Sequence, residues 1–152
     1  MKNSKGYTFL LIFFLAIAAG VLLALKIIGA NINKEPQVKF PNGIILVEIA
    51  STSEARNQGL SDRQSLEQNH GMLFIFDKAG NYSFWMNKMN FNLDFVYINN
   101  DQVVDIVRDV PYPKENEEPK SVTATQNFDK LLEINAGVAD LLKIKIGDQV
   151  TF

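Results

Sequence analysis

"FNLDFVYINNDQVVDIVR", Phe91–Arg108, decides how the chain is read. Two apolar runs, Phe91–Ile98 and Gln102–Arg108, flank the tripeptide "NND". Asn and Asp are turn formers, so the stretch predicts a β-hairpin with a three-residue loop. Along the first run side chains alternate between the two faces of a strand. Phe91, Leu93, Phe95 and Tyr97 share one face and read as core. Asn92, Asp94, Val96 and Ile98 share the other. An ionised Asp94 within such a strand needs a partner.

The runs on either side have the same character. "IILVEIA" (Ile44–Ala50), "MLFIF" (Met72–Phe76), "YSFWM" (Tyr82–Met86), "DKLLEI" (Asp129–Ile134) and the terminal "DQVTF" are short, rich in Val, Ile and Phe, and separated by turn formers. That pattern predicts a mainly β domain, a compact antiparallel β-sandwich or barrel-like fold. Two short helices are expected beside it. "TSEARNQGLSDRQSLEQ" carries Ser53 as N-cap and Gly59 as C-cap, followed by a second capping box at Ser61 and Gln64. "NAGVADLLKI" is expected to be capped by Asn135. Asp109–Ser121, acidic and with three prolines, reads as an exposed loop.

The N-terminus differs. "YTFLLIFFLAIAAGVLLAL", Tyr7–Leu25, contains no charge, and Lys2 and Lys5 precede it. As a helix its 19 residues would be roughly 28 Å long, close to the hydrocarbon thickness of a bilayer. Residues 1–6 read as a cytoplasmic n-region and 7–28 as one transmembrane signal anchor. A cleaved signal peptide is the other reading, although the apolar core is longer than such peptides need. Residues 29–43, polar and holding two prolines, read as a linker. The β domain, 44–152, would then lie outside the cytoplasm, on the periplasmic or cell-surface side, or be secreted after cleavage.

Composition narrows the chemistry. No cysteine is present, which excludes disulfides, thiol catalysis and Cys-ligated metals. Residues 36–152 carry 11 Lys and Arg against 16 Asp and Glu. An acidic domain without a basic stripe argues against nucleic acid and against electrostatic adhesion to anionic lipid. His70, Met86 and Met89 are the soft-metal candidates, but Met at this spacing reads as core, and no metal or cofactor is expected. His70 has no serine elbow to serve, and no glycine-rich phosphate loop occurs.

Four ordered segments resemble the bacterial and archaeal family called domain of unknown function 192. They are "EARNQGLSDRQSL" with Arg56, Gly59, Leu60 and Arg63, "GMLFIF", "FWMNKMNFNLDFVYI", and "LLEINAGVADLLKIKIGDQV". The sequence departs from the family pattern where Asn87, Lys88 and Met89 follow Phe-Trp-Met, and where Asn92 replaces a proline. The resemblance implies a compact β-rich domain, often behind an export signal, with no established reaction.

The residues expected to build a site are Arg56, Arg63, Trp85, Lys88 and Asp94. Two guanidiniums can clamp a carboxylate or phosphate, or tether their own turns to the sheet. Arg56 or Arg63 is also the expected ion-pair partner of Asp94. Trp85 can stack on a sugar or pack in the core. The expected activity is a membrane-anchored, non-enzymatic binding or accessory module of the cell envelope, recognising a small anionic or glycan ligand. An envelope hydrolase using Asp94 as acid or base is the alternative. A third is a partner-binding domain using the acidic loop, although the sequence names no protein partner.

Overall fold

A computed structural model describes residues 13–23 and 35–152. The chain divides into two units, Met1–Lys34 and Glu35–Phe152. In the first, residues 13–23 form helix α1 with every side chain exposed. The rest of the expected anchor, 7–12 and 24–28, lies outside the described residues, as do 1–6 and most of the N-terminal part of the linker. Among the described residues no helix is long and apolar enough to cross a membrane.

The second unit contains β1 (Gln37–Phe40), β2 (Gly43–Ala50), α2 (Ser53–Gln58), β3 (His70–Gly80), β4 (Ser83–Trp85), β5 (Leu93–Asn99), β6 (Gln102–Val110), β7 (Ser121–Thr123), β8 (Phe128–Asn135) and α3 (Val138–Leu141). Six strands form one sheet in the order β1-β2-β3-β8-β5-β6, and β4 pairs with β7 in a second. The fold is mainly β, as the strand spacing implied. It is not wholly antiparallel: β2 and β3 run parallel, joined by the crossover that carries α2. Alternation records which face a side chain takes but not the direction of the neighbouring strand.

The decisive hairpin forms, with a tighter loop than expected. Asn99 pairs with Gln102, leaving Asn100 and Asp101 as a two-residue turn. Both have positive φ, 47° and 66°, the conformation of a type I′ turn matched to strand twist. β1 lies inside the span read as linker. Val38 and Phe40 alternate into the core there, a signal too short to stand out among polar neighbours. The C-terminal "DQVTF" is not a full strand but bridges both sheet edges, Gln149 to Gln102 of β6 and Thr151 to Lys39 of β1. Two residues that close in sequence can reach both edges only if the sheet curls, which gives the barrel-like shape.

The sheet is covered on both faces. Val38, Val47, Leu73, Val96, Ile98, Val103, Leu132, Ile134 and Val150 pack inside the curl with Val138 and Ala139 of α3. Met72, Phe74, Phe95, Tyr97, Phe128 and Leu131 pack on the other face with Leu60, Met86, Met89 and Val122. β5 therefore has six consecutive buried residues. Met86 and Met89 are core residues, as their spacing suggested.

Helix α2 is capped by Thr52, whose hydroxyl accepts from the Ala55 amide at 3.2 Å, one residue before the expected Ser53. Gly59 closes it with φ 50°, as read. No helix forms at Ser61–Gln64. Those residues turn instead, and the turn is stapled to the segment after β4. Ser61 Oγ donates to the Asn87 carbonyl at 2.9 Å, and Asn90 Nδ2 to the Arg63 carbonyl at 2.9 Å. Helix α3 has Gly137 at its N-cap with no side-chain cap of its own. Asn135, the expected cap, donates instead to the Leu66 and Glu67 carbonyls.

Candidate functional site

Asp94 has 0% exposure and faces the inside of the curl, where Val96 and Ile98 also point. One carboxylate oxygen accepts from the Asp109 amide at 2.9 Å, the other from the Ala139 amide at 3.0 Å. The first contact holds a bulge: Leu93 pairs with Val110 but Phe95 with Val107, so β6 has one extra residue opposite Asp94, and Asp109 takes φ 49°. The second supplies α3 with the cap its own sequence lacks. The expected Arg56–Asp94 or Arg63–Asp94 pairing does not form. With its oxygens engaged and its surface closed to solvent, Asp94 is placed as a structural anchor rather than as an acid or base.

The arginines take separate partners. Arg63 binds Glu48 of β2 bidentately, Nη1 to Oε1 and Nη2 to Oε2, the latter at 2.7 Å. That hydrogen bond holds the Glu48 carboxyl below its usual range and the guanidinium above its own. Arg56 is half-buried. Its Nη1 donates to the Ser51 carbonyl at 2.5 Å and the Ile75 carbonyl at 2.9 Å, and its guanidinium carbon lies 5.1 Å from the centre of the Phe76 ring. Nε and Nη2 make no hydrogen bond among the described residues. The head group is thus aimed, but only part of its donor capacity is used.

Arg56 lines two hollows. The first is a shallow concavity of about 570 Å³ between α2 and the end of β3, lined by Ser53, Asn57, Phe76, Asp77, Lys78 and Tyr82. Phe76 and Tyr82 stack there at 3.9 Å between ring centres, which stiffens the wall. The second is a slot of about 30 Å³ walled by Leu60, Phe74, Phe84, Met89 and Leu93. Trp85, 63% exposed, stands at this slot, and Glu133 of β8 lines it as well. The single tryptophan is therefore not a core residue. Phe84 and Met86 take the inward positions of that segment, as alternation required.

Glu133 is only 6% exposed, and its side chain makes no hydrogen bond among the described residues. Burial pushes its carboxyl up to about 8, so it is protonated at neutral pH. Tyr97, one strand away, has a buried hydroxyl without a partner, and burial raises its ionisation well above the usual phenol range.

Of the five residues expected to form a site, Arg56 and Trp85 converge on the slot. Arg63 and Lys88 pair nearby with Glu48 and Asp62, the latter at 3.7 Å, while Asp94 lies on the opposite face of the sheet. Trp85 and Asp94 therefore do not share a face, because alternation in β5 turns Asp94 inward. Glu133 is not among the five residues expected to form a site. The signal was present: an acidic residue inside the apolar run "LLEI", the same cue that drew attention to Asp94.

No curated protein matches the chain. Two solved structures do. A protein of unknown function from Novosphingobium aromaticivorans DSM 12444 is 32% identical, with a TM-score of 0.66, covering 76% of this chain and 82% of that one. A protein from Sinorhizobium meliloti 1021 named "putative transcription regulator" is 27% identical, with a TM-score of 0.66, covering 76% of this chain and 89% of that one. The family DUF192, described as "Uncharacterized ACR", matches residues 37–152, from the first residue of β1 to the C-terminus. The four ordered sequence segments, the curled mixed sheet and this match agree: the chain belongs to the DUF192 family.

Proposed function

We propose that the domain is a non-enzymatic binding module for a small anionic or glycan ligand, taken up where Arg56 lines the concavity between α2 and β3. The observation that carries this reading is the state of Arg56. Two backbone carbonyls and the Phe76 ring fix its guanidinium, while Nε and Nη2 keep unspent donors. A fixed planar donor with free edges recognises carboxylate or phosphate. Asn57, Ser53, Lys78 and Tyr82 add neutral and cationic polar groups around it, and the exposed Trp85 beside the neighbouring slot offers an apolar surface for a sugar face. Arg63 and Lys88 hold the turn after α2 through their contacts with Glu48, Asn90 and Asp62, while Asp94 lies on the opposite face of the sheet.

The site is held, in this proposal, outside the cytoplasm by the apolar segment 7–28. Support comes from its length, the lysines before it, and the exposed apolar side chains of α1. Protease treatment of intact cells, with and without permeabilisation, tests the placement; a domain cleaved only after permeabilisation of the cytoplasmic membrane overturns it.

Calorimetric titration of the domain with inorganic phosphate and acetate tests the binding reading. Arg56→Gln should weaken capture by at least about tenfold, the loss of one charge-assisted contact. Equal binding by a folded Arg56→Gln variant would assign the residue to holding α2 alone.

A further inference from the structure

The slot beside Trp85 holds a group that the protein itself does not complete. Glu133 is more than nine-tenths buried and lines the slot without a hydrogen-bond partner among the described residues. The fully buried polar atoms without a partner among the described residues are those of Tyr97, Asn99 and Asp129, so the Glu133 carboxyl keeps an opening onto the slot. The slot, about 30 Å³, exceeds the roughly 10–15 Å³ needed by one water-sized group, yet it is far too small for a ring. Its walls mix apolar Leu60, Phe74 and Phe84 with polar Asn57, Gln58 and Ser61. Arg56 lines both this slot and the larger concavity, so one ligand anchored on Arg56 has access to both.

Resting on the Arg56 reading above, we propose that the slot is a subsite for a single uncharged hydroxyl of the same ligand, hydrogen-bonded by the Glu133 carboxyl. The ligand class is thereby narrowed to small hydroxylated oxyanions, either phosphate monoesters or hydroxycarboxylates. The charged end lies on Arg56, the hydroxyl meets Glu133, and Trp85 covers the carbon between them.

The protonation state of Glu133 supports the assignment. Burial pushes the carboxyl up to about 8, and a neutral acid in a buried site donates a hydrogen bond without repelling an anion. The charged and titratable groups facing it are few. Arg56 on α2 lines the same slot, and the Tyr97 phenol on β5 lies near enough to feel the Glu133 charge. Asp105 on β6 acts on that phenol too, while β3 and β4 present Phe74, Phe84 and Trp85. Above pH 8 the carboxylate would lose its donor and oppose the ligand's charge.

Trp85 is the sole tryptophan, so its fluorescence reports on the slot directly. The probes are two pairs, inorganic phosphate against glycerol 3-phosphate and acetate against glycerate, titrated into the full-length protein at pH 6.5 and 9.5 and checked by calorimetry. In at least one pair the hydroxylated member should bind about tenfold tighter at pH 6.5, and this advantage should vanish at pH 9.5. Whichever pair shows it identifies the anion. Glu133→Leu should remove the advantage while leaving inorganic phosphate or acetate binding intact. Glu133→Gln, which keeps a neutral donor, should retain it at both pH values. If the simple anions bind but hydroxylation adds nothing, or the advantage survives in Glu133→Leu, this inference falls and the Arg56 reading stands. If none of the four probes binds, the Arg56 reading falls and takes the subsite with it. Should Glu133→Leu fail to fold, the pH response of Glu133→Gln against wild type decides.

Discussion

Asp94 and Glu133 are two buried carboxyl groups on neighbouring strands of one sheet, in adjacent rows of it. Asp94 pairs across with Ile134, which pairs with Gly71; Glu133 lies between Phe95 and Met72. Adjacent rows point to opposite faces, and the faces treat the two acids differently. On the inner face two backbone amides meet the oxygens of Asp94, and the row is tight. A Cβ on Gly71 would come within 2.7 Å of the Glu133 carbonyl and 2.9 Å of Ile134. On the outer face Glu133 meets no donor among the described residues, and a slot lies beside it. The difference teaches that burial alone does not mark a functional acid. What the surrounding backbone offers decides whether a carboxyl becomes a fastener or stays available.

That contrast can be broken most forcefully at Glu133. Its folded carboxyl titrates near pH 8, whereas an unfolded glutamate does so near 4.5. The folded state therefore binds the proton more tightly, and wild-type stability should fall as pH rises between these values, then level off above 8. Relative to Glu133→Gln, the loss should be on the order of 4 kcal/mol across that window. Urea denaturation of both proteins at pH 4.5, 6, 7.5 and 9 measures it. Parallel pH profiles would mean that solvent reaches the acid.

At Asp94 removal should hurt at every pH where the domain folds. Asp94→Ala strands the Asp109 and Ala139 amides, for a cost of about 3 kcal/mol, and Asp94→Asn should cost less because one acceptor remains. The loss of hydrogen-exchange protection should concentrate at those two amides. A variant as stable as wild type would show that α3 needs no cap from β5.

Gly71→Ala sharpens the difference in packing. The added methyl meets backbone and Ile134 at once, so a destabilisation of about 2 kcal/mol is expected in thermal unfolding. The smallest effect belongs to the exposed Arg63–Glu48 pair. A double-mutant cycle should return about 0.5–1 kcal/mol, falling in high salt, because both side chains are partly solvated.

Much of the fold is legible in local sequence. The hairpin follows from Asn100 and Asp101, which accept the positive φ that a tight turn demands. The faces of β5 follow from alternation, and the end of α2 from Gly59. The candidate site is legible only in part. Arg56 and Trp85 stand out by type, but they lie 29 positions apart, and no local rule says which strands will bring them to one slot.

By itself, then, the sequence determined that the chain is β-rich, that a hairpin turns within Asn99–Asp101, and that Asp94 and Tyr97 look to opposite sides. These depend on backbone preferences and a period of two, which act between near neighbours. Only the tertiary structure decided that β2 and β3 run parallel, that α3 borrows its cap from Asp94, and that Glu133 has no hydrogen-bond partner among the described residues. Strand direction, a cap supplied from 45 positions away and the slot beside Glu133 all depend on which distant segments come to lie side by side. That choice is made by the packing of the whole core.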